Sequence, residues 1–264
     1  MTRKPSSPTG RTRAAAAPSN PPGAAARDIR RAHELLERRF GPLDPPRRLD
    51  PLEELILTVL SQNTSDMNRD RAYASLTARF ATWEEVADAY VRDVADAIRP
   101  GGLANTKAPR IQAILRSIER DHGKLDLRFL DRLPDDEVRT HLMALPGVGP
   151  KTAACVLAFS LLRPALPVDT HVGRAAERLG WIPPRANDGL AHAALERVVP
   201  PDLRVSMHVG LIRLGREICK PGRPRCEDCP LHALCPTAPL VLSGAWPGDR
   251  ARSGAAPRRR TRSR

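Results

Sequence analysis

Residues 145–152 read Leu-Pro-Gly-Val-Gly-Pro-Lys-Thr, and they restrict the fold more than any other stretch. Two glycines around one valine let the backbone turn tightly and come close to a ligand. Pro150 brings a φ already suited to the first turn of a helix. Residues 153–162 are almost wholly apolar, which describes a buried helix too short to span a membrane. The turn therefore delivers a helix N-terminus, with its free N–H groups, to a surface, an arrangement suited to a phosphate. The spacing from the glycines to Lys-Thr is not that of a P-loop. Lys151 falls in the first turn, where the macrodipole disfavours a cation, and a lysine driven towards its neutral form is a nucleophile. Taken alone, the same residues also describe a plain glycine turn with a solvated lysine.

The rest of the chain is punctuated for helices. Apolar positions at helical spacing predict a helix over 27–40, stopped by Gly41-Pro42. Asp50, Pro51 and Glu53 form an N-cap, N1 and N3 signature for a helix to about Gln62. Asp66 is expected to cap a helix ending near Phe80, and Thr82 with Glu85 starts another. A short helix over 91–98 ends at Pro100-Gly101-Gly102. The next opens at 103–107 and places Ile111, Ile114, Leu115 and Ile118 on one face. A helix from Asp135 to Leu145 meets the glycine turn, which makes a helix–hairpin–helix unit. Beyond the connector 164–167, Asp169 is a good N-cap for a helix closed by Gly180. Further helices fit 190–198 and 203–218. Neither a hairpin signal nor an internal repeat is present, so the expected class is all-α.

Charge is unevenly placed. Of a formal net charge of +13, the first 30 residues hold six Lys/Arg against one acid, and residues 236–264 hold seven Arg against one acid. The stretches 1–26 and 239–264, rich in Pro, Ala, Ser and Arg, are expected to be disordered basic tails. They suit a polyanion such as nucleic acid, or serve as solubilising extensions. No apolar run reaches membrane-span length, and the first 27 residues lack the apolar segment of a secretory signal.

Four of five cysteines crowd near the end as Cys219, Cys226, Cys229 and Cys235, spaced C-x6-C-x2-C-x5-C. In a chain without secretory features this clustering indicates metal rather than disulfides. Four thiolates hold either zinc or an iron–sulfur cluster. Zinc sites usually show two separated CxxC pairs. One wide arm, one tight pair and one intermediate arm better suit a compact [4Fe-4S] cluster. Arg213, Arg216, Lys220, Arg223 and Arg225 in and before this loop form a basic face, for a phosphate backbone or for solvent. Cys155, inside the apolar helix, reads as a core thiol.

In this order, Leu-Pro-Gly-Val-Gly-Pro-Lys-Thr-Ala, Val-Asp-Thr-His-Val and the four-cysteine spacing resemble the endonuclease III family of helix–hairpin–helix, Gly-Pro-Asp DNA glycosylases. Gly102-Leu103-Ala104-Asn105-Thr106-Lys107-Ala108 and Leu60-Ser61-Gln62-Asn63-Thr64 fall where the family has similar segments. The resemblance covers about residues 28–238. It implies two lobes with a cleft between them: a six-helix barrel over 50–164, and a cluster lobe combining 27–49 with 165–238. It also implies a bifunctional DNA glycosylase and abasic-site lyase of base excision repair. Its substrate would be oxidised pyrimidines in duplex DNA. Lys151 would attack C1′ and form a Schiff base, and β-elimination would cut the strand. Asp169, eighteen residues on as in the family, would stabilise positive charge on the sugar. Gly147, Val148 and Gly149 would present N–H groups to a phosphate, and His171 would reach the DNA backbone or pocket. Because a base inside a duplex must be flipped out, Gln62 and Leu103 are the candidate wedges. Asn63 is an alternative to Gln62, since Ser-Gln-Asn-Thr-Ser-Asp departs from the commoner pattern. Cys219, Cys226, Cys229 and Cys235 would hold the [4Fe-4S] cluster. The family also implies a monomer without membrane attachment, in the nucleoid-containing cytoplasm if bacterial. Mismatch glycosylases and modified-cytosine glycosylases of the same fold are alternatives, as is a non-catalytic iron–sulfur DNA-binding module. Lysine at position 151 argues against the mismatch enzymes.

Overall fold

The computed structural model describes residues 22–45 and 48–248. Among them there is no strand, and the chain is all-α. Twelve α-helical segments occur among the described residues: α1 (Pro22–Phe40), α2 (Pro51–Leu60), α3 (Asp66–Arg79), α4 (Trp83–Asp88), α5 (Val91–Ala97), α6 (Ala104–His122), α7 (Asp135–Met143), α8 (Pro150–Cys155), α9 (Thr170–Arg178), α10 (Asp188–Val198), α11 (Arg204–Glu217) and α12 (Ala238–Leu242).

Local chemistry explains most of the boundaries. Asp50 accepts the Leu52 N–H at 3.0 Å while Glu53 reaches back to the Asp50 N–H at 3.3 Å, closing the capping box on α2. Asp169 accepts the N–H groups of His171 and Val172, each at 2.8 Å, and so caps α9. Removing such a cap costs about 1 kcal/mol. The start of α3 differs from expectation. Ser65 is its N-cap, through a 3.3 Å bond from the Asn68 N–H. Asp66 is thereby released to pair with Arg216 on α11, at 2.5 and 3.0 Å. The apolar helix after the glycine turn also differs. It runs as α only to Cys155, then widens into a π turn over Val156–Ser160. The wider turn presents Ser160, whose hydroxyl donates to the Leu49 carbonyl at 2.7 Å while its own carbonyl accepts from Arg48 at 2.8 Å.

Two hydrophobic clusters organise the packing. One gathers buried residues from Leu52 to Ala165, through α2–α8. The other combines α1 and Leu43 with residues from Leu166 to Leu231, through α9–α11. The link between them, 165–168, is extended, buried and short. Gly215 lets α9 and α11 pack closely, since a Cβ there would lie 2.8 Å from the His171 Cβ.

Helical residues fall inside both stretches expected to be disordered. Helix α1 begins at Pro22, inside the stretch 1–26, and α12 with the residues up to 248 lies inside 239–264. The reason at the C-terminal end is packing. Trp246 stacks against the Arg178 guanidinium at 4.7 Å, and Ala238 is buried. The remainder of both stretches lies outside the described residues. No described helix is long and apolar enough to cross a membrane.

Candidate active site

A cleft of about 1170 Å³ opens between the two clusters. Its walls bring together residues far apart in sequence. Lys151 enters from the first turn of α8, Asp169 and His171 from the start of α9, and Gln62 from the end of α2. Lys151 is half-buried, and its backbone follows a turn that only glycine permits. Gly147 has φ +72°, and a Cβ there would lie 2.7 Å from the Arg110 Nε. Gly147 and Gly149 both line the cleft, with no atom within 4 Å of a Cβ placed at Gly149. Val148 departs from the expected role. Its N–H closes the turn onto the Leu145 carbonyl at 3.2 Å and its side chain is buried in the first cluster, so it braces the turn rather than facing outward.

The segment leading into Asp169 is held by two buried histidines that sequence reading passed over. The Val168 N–H donates to His192 Nε2 at 3.0 Å, and His192 Nδ1 donates to the Asp188 carbonyl at 2.7 Å. His208 Nδ1 donates to the Pro167 carbonyl at 2.7 Å, with its ring 5.4 Å from Phe159. Burial disfavours the charged form of each imidazole and pushes both below their ordinary value. Neutral rings suit these bonds, because His192 must keep a lone pair free for Val168. His171 itself turns towards Arg174, with Nδ1 and the guanidinium 3.2 Å apart.

The rim on the other wall is also braced from beneath. Lys107 is fully buried, and its ammonium donates to the carbonyls of Leu60 at 2.7 Å and Gly101 at 2.9 Å. One cation thus ties the end of α2 to the Gly101–Leu103 loop, and desolvation lowers its pKa. On that loop Leu103 adopts a left-handed backbone, φ +51°, and stands 54% exposed. A leucine held out of the core in a strained conformation is not packing residue for its own fold. Arg110 donates to the Gln62 side-chain oxygen at 2.9 Å, which restrains Gln62, whereas Asn63 is exposed at φ +53°. Across the cleft, Arg216 holds the Asp66 carboxyl below the usual carboxylate range and ties α11 to α3.

The four clustered cysteines ring a second, smaller cavity together with Arg178, Ile218 and Thr237. All are free thiols. Arg178, the last residue of α9, donates to Cys219 Sγ at 3.1 Å and to the Lys220 carbonyl at 2.9 Å. Its own carbonyl accepts from Thr237 at 2.8 Å. Desolvation, then repulsion from the neighbouring thiols, pushes Cys226 up to about 11. Desolvation above all pushes Cys229 up to about 12. Among the described residues no three His, Cys, Asp or Glu side chains close on one point as a single metal ion requires. The four thiols border a shared cavity, and burial pushes three of them up, a donor set that a metal centre could draw on by stabilising the thiolates.

With this geometry in hand, comparison with known proteins is specific. The profile of the HhH-GPD superfamily base excision DNA repair proteins matches residues 56–201. Endonuclease III of Thermotoga maritima is 40% identical over 186 residues, which cover 70% of this chain and 83% of that protein. A provisionally assigned DNA glycosylase of Arabidopsis thaliana is 40% identical over 189 residues, and the chain spans 64% of its length. Among solved structures, a trapped endonuclease III–DNA covalent intermediate is 29% identical and superposes with a TM-score of 0.71, covering 82% of this chain and 98% of that one.

Proposed function

The chain belongs to the HhH-GPD superfamily of base excision DNA repair proteins, and from that premise we propose that it is a bifunctional DNA glycosylase and abasic-site lyase acting on oxidised pyrimidines in duplex DNA. The observation that carries the reading is the meeting of Lys151 and Asp169 on the walls of one cleft, from the first turn of α8 and the cap of α9. A lysine rather than an apolar residue at this place gives the site an amine able to displace a base. That a relative forms a trapped covalent intermediate with DNA supports the same chemistry.

In the proposed reaction the damaged nucleotide is turned out of the duplex into the cleft. Leu103, with Asn63 or the more restrained Gln62, fills the space it leaves. Gly147 and Gly149 lie against the phosphate, and His171 lies beside the backbone. Lys151 Nζ attacks C1′ as the glycosidic C–N bond breaks, and the base leaves with the electron pair and takes up a proton. Asp169 Oδ1 is spent on two N–H groups, and its second oxygen stabilises the positive charge on the sugar. Opening of the ring gives an imine between Lys151 and C1′. Loss of a C2′ proton then expels the 3′ phosphate, and water releases the lysine. Cys219, Cys226, Cys229 and Cys235 would hold a [4Fe-4S] cluster, which when bound supplies a cross-link that lets all four thiolates stay charged in their loop.

Borohydride trapping on an abasic duplex tests the reading. A covalent protein–DNA adduct is expected from the wild type and not from Lys151→Ala, and a wild type that never traps would overturn it. A panel of thymine glycol, dihydrouracil, uracil mismatch and 5-methylcytosine duplexes then separates oxidised pyrimidines, cut fastest on this reading, from the mismatch and modified-cytosine alternatives.

A further inference from the structure

Helix α2 is apolar on nearly every side, yet it carries a carboxylate at position 54 that is only 5% exposed. A buried carboxylate is costly unless it is bonded or used. One of its oxygens accepts the Thr58 hydroxyl, one turn on, at 3.0 Å. Glu54 and Thr58 line the floor of the cleft with Lys151 and Cys155, which lie one turn apart on the facing helix α8. Cys155 is almost fully buried and borders the same cleft, so the core thiol also lies in this floor. The charged and titratable groups that face Glu54 are few. Lys151 and Cys155 come from α8 and Arg69 from α3. The π turn Val156–Ser160 holds no titratable side chain. Lys107 of α6 is engaged with carbonyls at the far end of α2.

We propose that Glu54 is a positioning residue for Lys151, taking the ammonium proton from beneath so that the amine is free to attack. The inference rests on the reading of Lys151 as the nucleophile. In the step, an N–H bond of the ammonium breaks and an O–H bond of the carboxyl forms, with water in the shared cleft carrying the proton between the two groups, so the pair passes from ammonium and carboxylate to amine and acid. The proton returns when hydrolysis frees the lysine. Desolvation raises the Glu54 pKa to about 7, with Thr58, Lys151 and Arg69 pulling the other way, so the group exchanges its proton near neutrality. Asp169 is thereby left to the charge on the sugar.

The test is the single-turnover rate of adduct formation on an abasic duplex, by borohydride trapping with the full chain from about pH 5 to about pH 9. The wild-type rate should rise through an inflection near 7. Glu54→Gln, close in shape and free of buried charge, should lose that inflection and fall about a hundredfold on the alkaline side, and Glu54→Asp should recover part of it. Thr58→Val, which removes the bond favouring the carboxylate, should move the inflection to higher pH with the plateau kept. A wild-type profile in Glu54→Gln, or an unmoved inflection in Thr58→Val, would overturn the proposal while leaving the lyase reading intact. A wild type that never traps removes both.

Discussion

The chain buries polar chemistry in two places, and it builds them in opposite ways. Around the cysteine cavity the polar groups come almost from one stretch, seventeen residues long, and their thiols repel one another with Arg178 as the main counter-charge. In the cleft the polar groups come from α2, α6, α8, α10 and α11, and those beneath the surface are bonded to protein partners: Glu54 to Thr58, Lys107 to two carbonyls, His192 and His208 to the segment before Asp169. On the proposed reading, the first site is completed by a bound cluster that supplies positive charge. The second is assembled by the fold before any ligand arrives. If the proposed reading holds, one is a structural centre and the other a reaction centre, and the difference follows: preorganised groups cost no rearrangement when charge develops, whereas ligand-completed loops couple binding to folding.

The comparison breaks most visibly at the cysteines. Cys226→Ala should lose the bound iron, from about four per chain to less than one, with the visible absorbance and much of the DNA affinity. Iron analysis and a binding isotherm check this. A wild type that is colourless and carries zinc after anaerobic, iron-replete expression would remove the cluster from the account. The cleft should respond less severely. His192→Leu leaves the Val168 N–H buried without its acceptor, a loss of roughly 1–3 kcal/mol. It should lower the melting temperature by a few degrees and the cleavage rate by more than stability alone explains, because Asp169 loses a brace. Equal rates in mutant and wild type well below the melting point would show that the brace has no part in positioning.

A smaller effect sharpens the contrast through pH. His208 is held neutral, with its folded pKa below the ordinary 6.5. The unfolded chain therefore binds more protons as pH falls below that value, and the stability His208 contributes is present above it and lost below it. Melting temperature should decline between about pH 6.5 and the onset of general acid unfolding, and His208→Gln should flatten part of that decline. An unchanged slope would mean that the imidazole is not buried neutral.

How much of this was legible beforehand follows the range of the interactions. The Asp50 capping box, the Asp169 cap and the turn at Gly147 each involve residues within a few positions, and all stand where the pattern placed them. Asp66 shows the limit. Its own neighbours mark it as a cap, but an arginine 150 residues away claims its carboxylate and Ser65 takes the cap instead. Lys107 reads as one more helix-opening lysine, and only its burial across the end of α2 makes it a clamp. Cys155 is the core thiol that the apolar run implies, and only the packing shows that it also borders the cleft. The ordered part of 239–264 is not legible from composition, which carries no trace of the Trp246 contact with Arg178.

Sequence by itself determined the all-α class, the helix–turn–helix around Gly147 and Gly149, and the four-thiol loop. These depend on backbone hydrogen-bond needs, permitted φ values and ligand spacing, which act over a few residues. Tertiary structure alone decided which polar groups lose water and what meets them there: Glu54 with Thr58 in the cleft floor, two neutral histidines behind Asp169, Lys107 under the rim. Desolvation is a property of whatever packs over a group, and for these residues the covering elements lie tens of residues away in the chain.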